Sequence, residues 1–454
     1  MKKQKQTAET EQENTTVAMD DDRISQLPIP IRHHVLCFLS QKEAVRTCLL
    51  SKQWRHVGST RPNLEFFEEW FDNTQEKVVS VTVRRSTRLA RRNLKSYENK
   101  FDKNFVSVVN RILQGYLDQN LFIHKSFKLN SLWYPPPYYS LPSAVFLSES
   151  LEELHLCKCK LSPVESVRFK CLRTLTLDFV QVDGGTLETK TLGCPLLRRL
   201  ALNNCCELRN IRLSVAPELK HFTLFDIKII EGRSIEIDVP NLETVFINGP
   251  WIWSHRQSTL LFSRLTSLHL WNVIMSSESI DLLSFGCPTL ANLALHDCSG
   301  FEEFHLASDS VKFLSIFTSK IPLKGAMICT PNIHTFNFNA GIHQVPDTFS
   351  FTTTTSKMWH SNVFLSSRED DPDFDINSWF LKLRRVLKAL SGSWIVLTLQ
   401  IINGPLDVPC GAVDNSRLLS DEPPVVMENL SFSTYKCRTA SWYSGFTNEA
   451  NTYI

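Results

Sequence analysis

Residues Leu151–Cys159 read LEELHLCKC, and the LxxLxL unit inside this run decides the fold because it does not occur once. It returns at Leu172 (LRTLTL), Leu197 (LRRLAL), Leu219 (LKHFTL), Leu242 (LETVFI), Leu265 (LTSLHL), Leu290 (LANLAL), Val311 (VKFLSI) and Ile333 (IHTFNF). Successive starts differ by 21, 25, 22, 23, 23, 25, 21 and 22 residues, within the window of roughly 20 to 29 in which each repeat is one short strand plus a return segment. Such a unit cannot bury its apolar side alone, so neighbours stack into a curved solenoid whose concave wall is a parallel sheet.

This is the period of leucine-rich repeats, and it explains most of the unusual residues around it. Cys159, Cys205 and Cys298 fall three residues past the last Leu of their units, where the pattern calls for Asn or Cys and a small polar group satisfies turn backbone. The tripeptide GCP at Gly193–Pro195 and again at Gly286–Pro288 reads as a turn that ends one return segment and launches the next strand. Strand alternation sends each Leu inward and the intervening residues onto the concave wall. The column just after each last apolar residue then holds Phe225, Asn248, Trp271, His296 and Phe317, with Phe246 and His269 one column over. Aromatics gathered across neighbouring strands make a candidate substrate-binding patch, since contiguous apolar surface is seldom left open without a use. The alternative is burial beneath the Trp251–Trp253 loop or the C-terminal segment. The histidines of this patch are expected to stack or hydrogen-bond rather than bind metal.

Past residue 341 the period lapses into Thr-rich and Asp-rich sequence (TTTT; EDDPDFD), read as a linker over 341–375. Ile376, Trp379, Phe380, Leu383, Leu387 and Leu390 then line one helical side, Gly392 stands at the helix stop, and WIVLTLQI follows as a strand. Residues 376–402 are expected to cap the solenoid, whose last unit would otherwise expose its core. Residues 403–454 carry no readable pattern.

Composition bounds the function. A chain of 454 residues exceeds one ordinary core, and a net charge of +2 shows none of the basic excess of a genome-binding or membrane-surface protein. Neither a nucleic acid nor a membrane is expected as partner. The N-terminal residues 1–20 are polar and expected to be disordered. With no secretory h-region and no apolar run of about 18 residues, the chain is expected to be soluble and intracellular, in the nucleus, the cytoplasm or both. Thirteen cysteines, an odd number, argue against a disulfide framework. Cys157 with Cys159, and Cys205 with Cys206, lack a second pair at zinc-binding spacing. No metal and no cofactor are expected. GxxxxGK[ST], HExxH and GxSxG are all missing, so there are no candidate catalytic residues. Residues 67–125 read as a connecting segment, with a strand at Val78–Val83 and a helix carrying Phe105, Val109 and Ile112. The basic run Arg84–Lys95 reads as a nuclear import signal, a nucleic-acid patch or, more simply, a solvated face.

Leu27–Trp54 (LPIPIRHHVLCFLSQKEAVRTCLLSKQW) is the other informative stretch. Ile31, Val35, Phe38 and Leu39 recur at helical spacing. Ser40 and Glu43 read as a capping box opening a second helix with Val45 and Leu49 on one face. Below about 40 residues a chain seldom folds without a staple or partner. The segment is therefore expected to be completed by another polypeptide.

From Asp22 to Arg55, through Leu27-Pro28, EAVRTCLLSKQW and the following PNLEF, the sequence resembles the F-box of plant F-box proteins with leucine-rich repeats. Ile29 and Pro30 stand where relatives usually carry acidic residues, Gly58 where many have a second Trp, and no C-terminal FBD module is found. The resemblance implies an α/β chain with an N-terminal helical F-box (21–66) followed by a leucine-rich-repeat solenoid (126–340). It further implies docking of a Skp-type adaptor and, through it, a cullin, within an SCF-type ubiquitin-protein ligase. This chain would act as a non-catalytic receptor for a protein substrate. The expected adaptor-binding residues are Leu27, Pro28, Ile31, Val35, Leu36, Leu39, Val45, Leu49 and Trp54, whereas Phe38 and Cys48 are expected to pack within the F-box. Two other readings are a small-molecule co-receptor and a leucine-rich-repeat scaffold outside any ligase.

Overall fold

The computed structural model describes residues 24–39 almost throughout, isolated positions as far as 57, then 63–68, 105–114, 125–131, 139–402 with short gaps, and 430–435. It divides into two units, residues 1–63 and 64–454.

In the first unit, helix α1 spans Ile29–Cys37, with Pro28 as N-cap and Pro30 in its first turn. Proline fits there because the amides of the first turn have no helical partner to lose. The amides of Ile31 and Arg32 donate to the Pro28 carbonyl at 3.0 and 3.1 Å. Leu36, Ala44, Trp54 and Val57 form a small separate core, with Leu39 packed against it. Of the expected second helix, Ser40, Val45, Cys48 and Leu49 lie outside the described residues.

The second unit is built on one fourteen-stranded sheet. Its strands, in chain order, are β1 (Asn63–Phe67), β2 (Ser126–Asn130), β3 (Glu153–Cys157), β4 (Thr174–Asp178), β5 (Arg199–Asn203), β6 (His221–Phe225) and β7 (Thr244–Asn248). They continue with β8 (Ser267–Trp271), β9 (Asn292–His296), β10 (Phe313–Thr318), β11 (Thr335–Gly341), β12 (His360–Arg368), β13 (Trp394–Ile402) and β14 (Leu430–Tyr435). Order in space equals order in sequence, and the neighbours from β2 to β14 pair in parallel. That is the arrangement a stack of coils must have. Every apolar position of the nine LxxLxL units is buried, so one continuous core runs the length of the solenoid.

Each coil turns away from the sheet by a repeated device. Lys158, Phe179, Asn204, Asn272 and Asp297, each the first residue after its strand, have positive φ between 50° and 57°. Their amides reach the last strand residue of the next coil, as Asn204 N does to Phe225 O (2.6 Å) and Asn272 N to His296 O (2.8 Å). Asn and Asp tolerate this left-handed conformation better than most residues. One residue later, at Cys159, Cys205 and Cys298, the cysteines take the place the repeat pattern gives them. The Cys205 thiol donates to the Leu177 carbonyl and the Cys298 thiol to that of Leu270, both at 3.4 Å. Burial pushes both thiols up to about 12, which makes them structural and unreactive.

The return segments differ from coil to coil. Helix α2 (Gly184–Leu192) is capped by Asp183, whose carboxylate accepts from Thr186 N at 2.9 Å. Gly193-Cys194 follows it, and the second GCP follows α3 (Ser277–Phe285). Other coils return through short strands that form two small parallel sheets, Asn210–Leu213 with Ser234–Ile237 and Ile252–Ser254, and Glu303–Ala307 with Gly325–Cys329 and Thr348–Thr352.

Three stretches depart from the sequence reading. Within 67–125, expected to be a connector, the expected helix forms at 105–114 but buries Phe105, Val109 and Leu113 in the solenoid core, and β1, from the end of the segment expected to be the F-box (21–66), does the same through Leu64 and Phe66. Within the expected linker 341–375, Thr348–Thr352 and His360–Arg368 are strands. The helix α4 (Ile376–Ala389) and β13 form as expected, but β13 is not terminal, because β14 from the unassigned tail pairs with it. These coils lack the leucine spacing and were invisible to it. The expected strand at Val78–Val83 and the basic run Arg84–Lys95 lie outside the described residues.

Candidate protein-interaction surfaces

On α1 the helical period puts Ile31, Val35 and Phe38 in one row, and that row faces outward. Ile31 is 48% and Phe38 78% exposed, and Ile29 and Val35 are open as well. The Phe38 ring meets His34 edge-on, with centroids 5.0 Å apart. Of the residues expected to meet an adaptor, Pro28, Ile31 and Val35 are exposed and Leu27 and Leu39 half-buried. Leu36 and Trp54 must be reassigned: both are buried in the unit's own core. Phe38, expected inside, is instead the most exposed large apolar residue of the helix. The reason is geometric, since Leu36 and Leu39 take the inner side of the short helix and Phe38 lies between them on the other side. Val45 and Leu49 lie outside the described residues.

The concave wall of the solenoid has two chemically distinct stretches. Toward its amino-terminal end outward side chains form an ion pair and hydrogen bonds to a carboxylate. Lys128 on β2 meets Glu65 on β1 at 3.1 Å, and His155 Nε2 on β3 donates to Asp178 on β4 at 2.5 Å. Asn203 Nδ2 on β5 also donates to Asp178. Burial opposes ionisation of Asp178, yet these two hydrogen bonds hold its carboxyl below the usual carboxylate range.

From β7 onward the outward positions are mostly aromatic, amide or hydroxyl residues, with Ala294 and Val396 among them. Strand register brings Phe225, Asn248, Trp271, His296 and Phe317 into one row, and Phe246 beside His269, as the sequence predicts. Trp271 stacks on His296 with centroids 4.6 Å apart and planes at 20°. His296 meets Phe317 at 5.8 Å, and Phe246 meets Trp271 at 6.3 Å and His269 at 6.5 Å. Trp271 is 39% exposed at the centre of this ladder. His269 and His296 hydrogen-bond Ser267 and Ser315 Oγ at 2.9 and 3.1 Å. Burial holds both imidazoles below their ordinary value, so they are neutral at pH 7. Trp251 and Trp253 do not cover the ladder, because both are buried in the solenoid core. Toward β13 the ladder gives way to Asn337, Asn339, Asn362 and Phe364, which line a shallow depression with Val396 and Thr398. The outward row expected from the sequence ended at Phe317; Asn337 and Asn339 belong to the ninth counted unit, whereas Asn362, Phe364, Val396 and Thr398 lie where the leucine period has lapsed.

No group of three or more His, Cys, Asp or Glu among the described residues is arranged to hold a metal ion. None of their helices is long and apolar enough to cross a membrane.

Comparison with known proteins divides the chain at the same place. Residues 24–65 match the family described as "F-box domain", and residues 121–261 and 252–336 match "FBD-associated F-box protein At5g56370, LRR repeats". F-box/LRR-repeat protein At4g14096 of Arabidopsis thaliana is 25% identical over 364 residues, 72% of this chain and 75% of the relative. F-box/LRR-repeat protein 25 from the same plant is 29% identical over 208 residues, 45% of this chain and 76% of the relative. F-box/FBD/LRR-repeat protein At4g00160, also from Arabidopsis thaliana, is 29% identical over 215 residues, 46% of this chain and about half (48%) of the relative's length.

Proposed function

Because the chain belongs to the plant F-box/LRR-repeat family, we propose that it is the substrate-recognition subunit of an SCF-type ubiquitin-protein ligase. Its F-box would dock a Skp-type adaptor, itself bound to a cullin, and its repeats would hold a target protein. The observation that carries this reading is the open apolar row of α1, Ile29, Ile31, Val35 and Phe38, in the segment that matches the F-box. A helix this short has little of its own to bury such residues against, and a partner helix surface would supply the missing side.

The chain's contribution would be positional, with no bond made or broken by its own side chains. Holding a target lysine beside a ubiquitin-charged conjugating enzyme replaces a bimolecular encounter by an intramolecular one, at effective concentrations that reach about millimolar for short tethers. The test is co-purification of the full chain with a Skp-type adaptor and a cullin. We expect capture by the parent and its loss on Ile31→Asp with Val35→Asp. Undiminished capture by that double variant would remove α1 as the docking element, and no capture by the parent would remove the ligase.

A further inference from the structure

We infer that the wall formed by β7–β13 binds an extended, uncharged polypeptide segment carrying aromatic or aliphatic side chains, so that target recognition needs neither a phosphate nor an acidic or basic tract. This deepens the reading of the solenoid as a receptor surface and rests on it.

The observation is a change of chemistry along one sheet. The outward positions of β1–β5 include Glu65, Lys128, Glu153, Asp178 and Arg199. From Thr244 on β7 to Ser366 on β12, and from Trp394 to Gln400 on β13, none of the outward positions is Asp, Glu, Lys or Arg; the one such residue that register adds to these columns is Arg368, at the end of β12 and four strands of the sheet away from Trp271. Asp297, which follows His296 in sequence, is already engaged by the Ser319 amide and hydroxyl at 2.6 and 2.9 Å. A carboxylate or phosphate pressed onto this wall would lose its water and gain no counter-charge, a cost of several kcal/mol for an ion without a partner. Sites that read phosphorylated or acidic segments work through clustered arginines, and the described outward positions here offer none. Salt bridges to a basic segment are excluded by the same composition.

What the wall does offer is complementary to a neutral chain. Phe246, Trp271, His296 and Phe317 present a ring surface in contact across four strands, with a half-open Trp at its centre, the residue type that most often anchors a protein interface. Beyond it, the Asn337 Oδ1 accepts from Asn362 Nδ2 at 2.8 Å, and Asn248 Oδ1 from Asn272 Nδ2 at 3.4 Å. With those oxygens engaged, the Nδ2 groups of Asn337 and Asn248 remain as donors for the carbonyls of an extended backbone. Apolar side chains would pack on the rings while the main chain meets the amides. That division of labour suits a polypeptide better than a ligand made mostly of hydroxyls.

A synthetic peptide array presented to the full chain tests this, with every uncharged sequence paired with its phosphoserine, aspartate and lysine counterparts. We expect binding by uncharged members containing aromatic residues, at least a ten-fold loss on placing one charge in the bound core, and less than a two-fold change in Kd between 0.05 and 0.5 M NaCl. Trp271→Ala should weaken binding at least ten-fold, with Phe317→Ser as a second variant and melting curves establishing that both fold. Stronger binding by phosphorylated, acidic or basic members would overturn the inference, as would no binding at all. So would binding by a glycan array that Trp271→Ala abolishes. Peptide binding seen only after residues 436–454 are removed would assign the ladder to the chain's own C-terminus and equally overturn it. Adaptor capture measured on the same sample keeps the two readings apart. Capture without peptide binding sinks this inference alone, and peptide binding without capture sinks the ligase.

Discussion

Helix α1 and the repeat strands use the same residue types, Ile, Val, Leu and Phe at regular spacing, and put them on opposite sides of the boundary with water. In the repeats every such position is buried. In α1 the row Ile31, Val35, Phe38 is open, and the described core of that unit amounts to Leu36, Ala44, Trp54 and Val57. The difference is one of supply. A coil of the solenoid finds its apolar complement in the coils before and after it, which the same chain provides. Helix α1 has no such repeated neighbours in sequence, so its outer row stays open.

The sharpest way to break this contrast is to cut the same kind of side chain in both places. Leu293→Ala, on β9 and fully buried, should cost about 2–5 kcal/mol, read as a fall in the denaturant midpoint. Phe38→Ala should shift that midpoint by no more than about 0.5 kcal/mol, as surface changes do, while weakening adaptor capture about ten-fold or more. Equal destabilisation by the two would mean that α1 is covered within the chain.

A smaller effect sharpens the solenoid side. Lys190 of α2 is almost completely buried, with its Nζ 3.5 Å from the centre of the Phe146 ring. Burial pulls its ammonium down to about 8. The unfolded chain, with the ordinary lysine value, holds this proton to higher pH than the folded one, so stability should rise between about pH 8 and 10.5. Lys190→Met should abolish that rise and stabilise the protein at pH 7 by roughly 2 kcal/mol, the burial cost less the cation–ring attraction. Urea unfolding of both proteins at pH 7 and pH 10 checks it.

The smallest effect belongs to the aromatic wall. His221, His269 and His296 are all held below the ordinary imidazole value, by burial first and, for His221 and His296, also by nearby positive charge. Their stabilising contribution is complete above about pH 6.5 and is lost as pH falls through that value toward the lower folded ones, because the unfolded imidazoles take up protons first. A shallow decline in stability between pH 7 and 5 is therefore expected, reduced in His269→Phe and His296→Phe. These groups are half-open, so solvent keeps the effect modest. A decline unchanged in both variants would place its origin elsewhere.

Much of this was legible in the residues alone because the repeats are local. The LxxLxL spacing located β3 to β11, the inward and outward faces, the aromatic row from Phe225 to Phe317, and the cysteines as turn partners. It missed β1, β2, β12 and β14, where Phe or Val stands beside a single Leu, the full unit is absent, and only pairing with an adjacent coil reveals the strand. On α1 the helical period correctly grouped Ile31, Val35 and Phe38, but periodicity has no sign. It cannot tell a face that packs inward from one that waits for a partner.

The amino-acid sequence thus determined the solenoid by itself, since a repeat closes its core against copies of itself a fixed distance along the chain, and that distance can be counted. Only the tertiary structure decided that Leu36 and Trp54 are core while Phe38 is surface, that Trp251 and Trp253 leave the concave wall open, and that the ion-paired end of the wall gives way to rings in mutual contact. Those outcomes depend on which side chains compete for the same volume across tens of residues, and that competition is settled by packing in three dimensions.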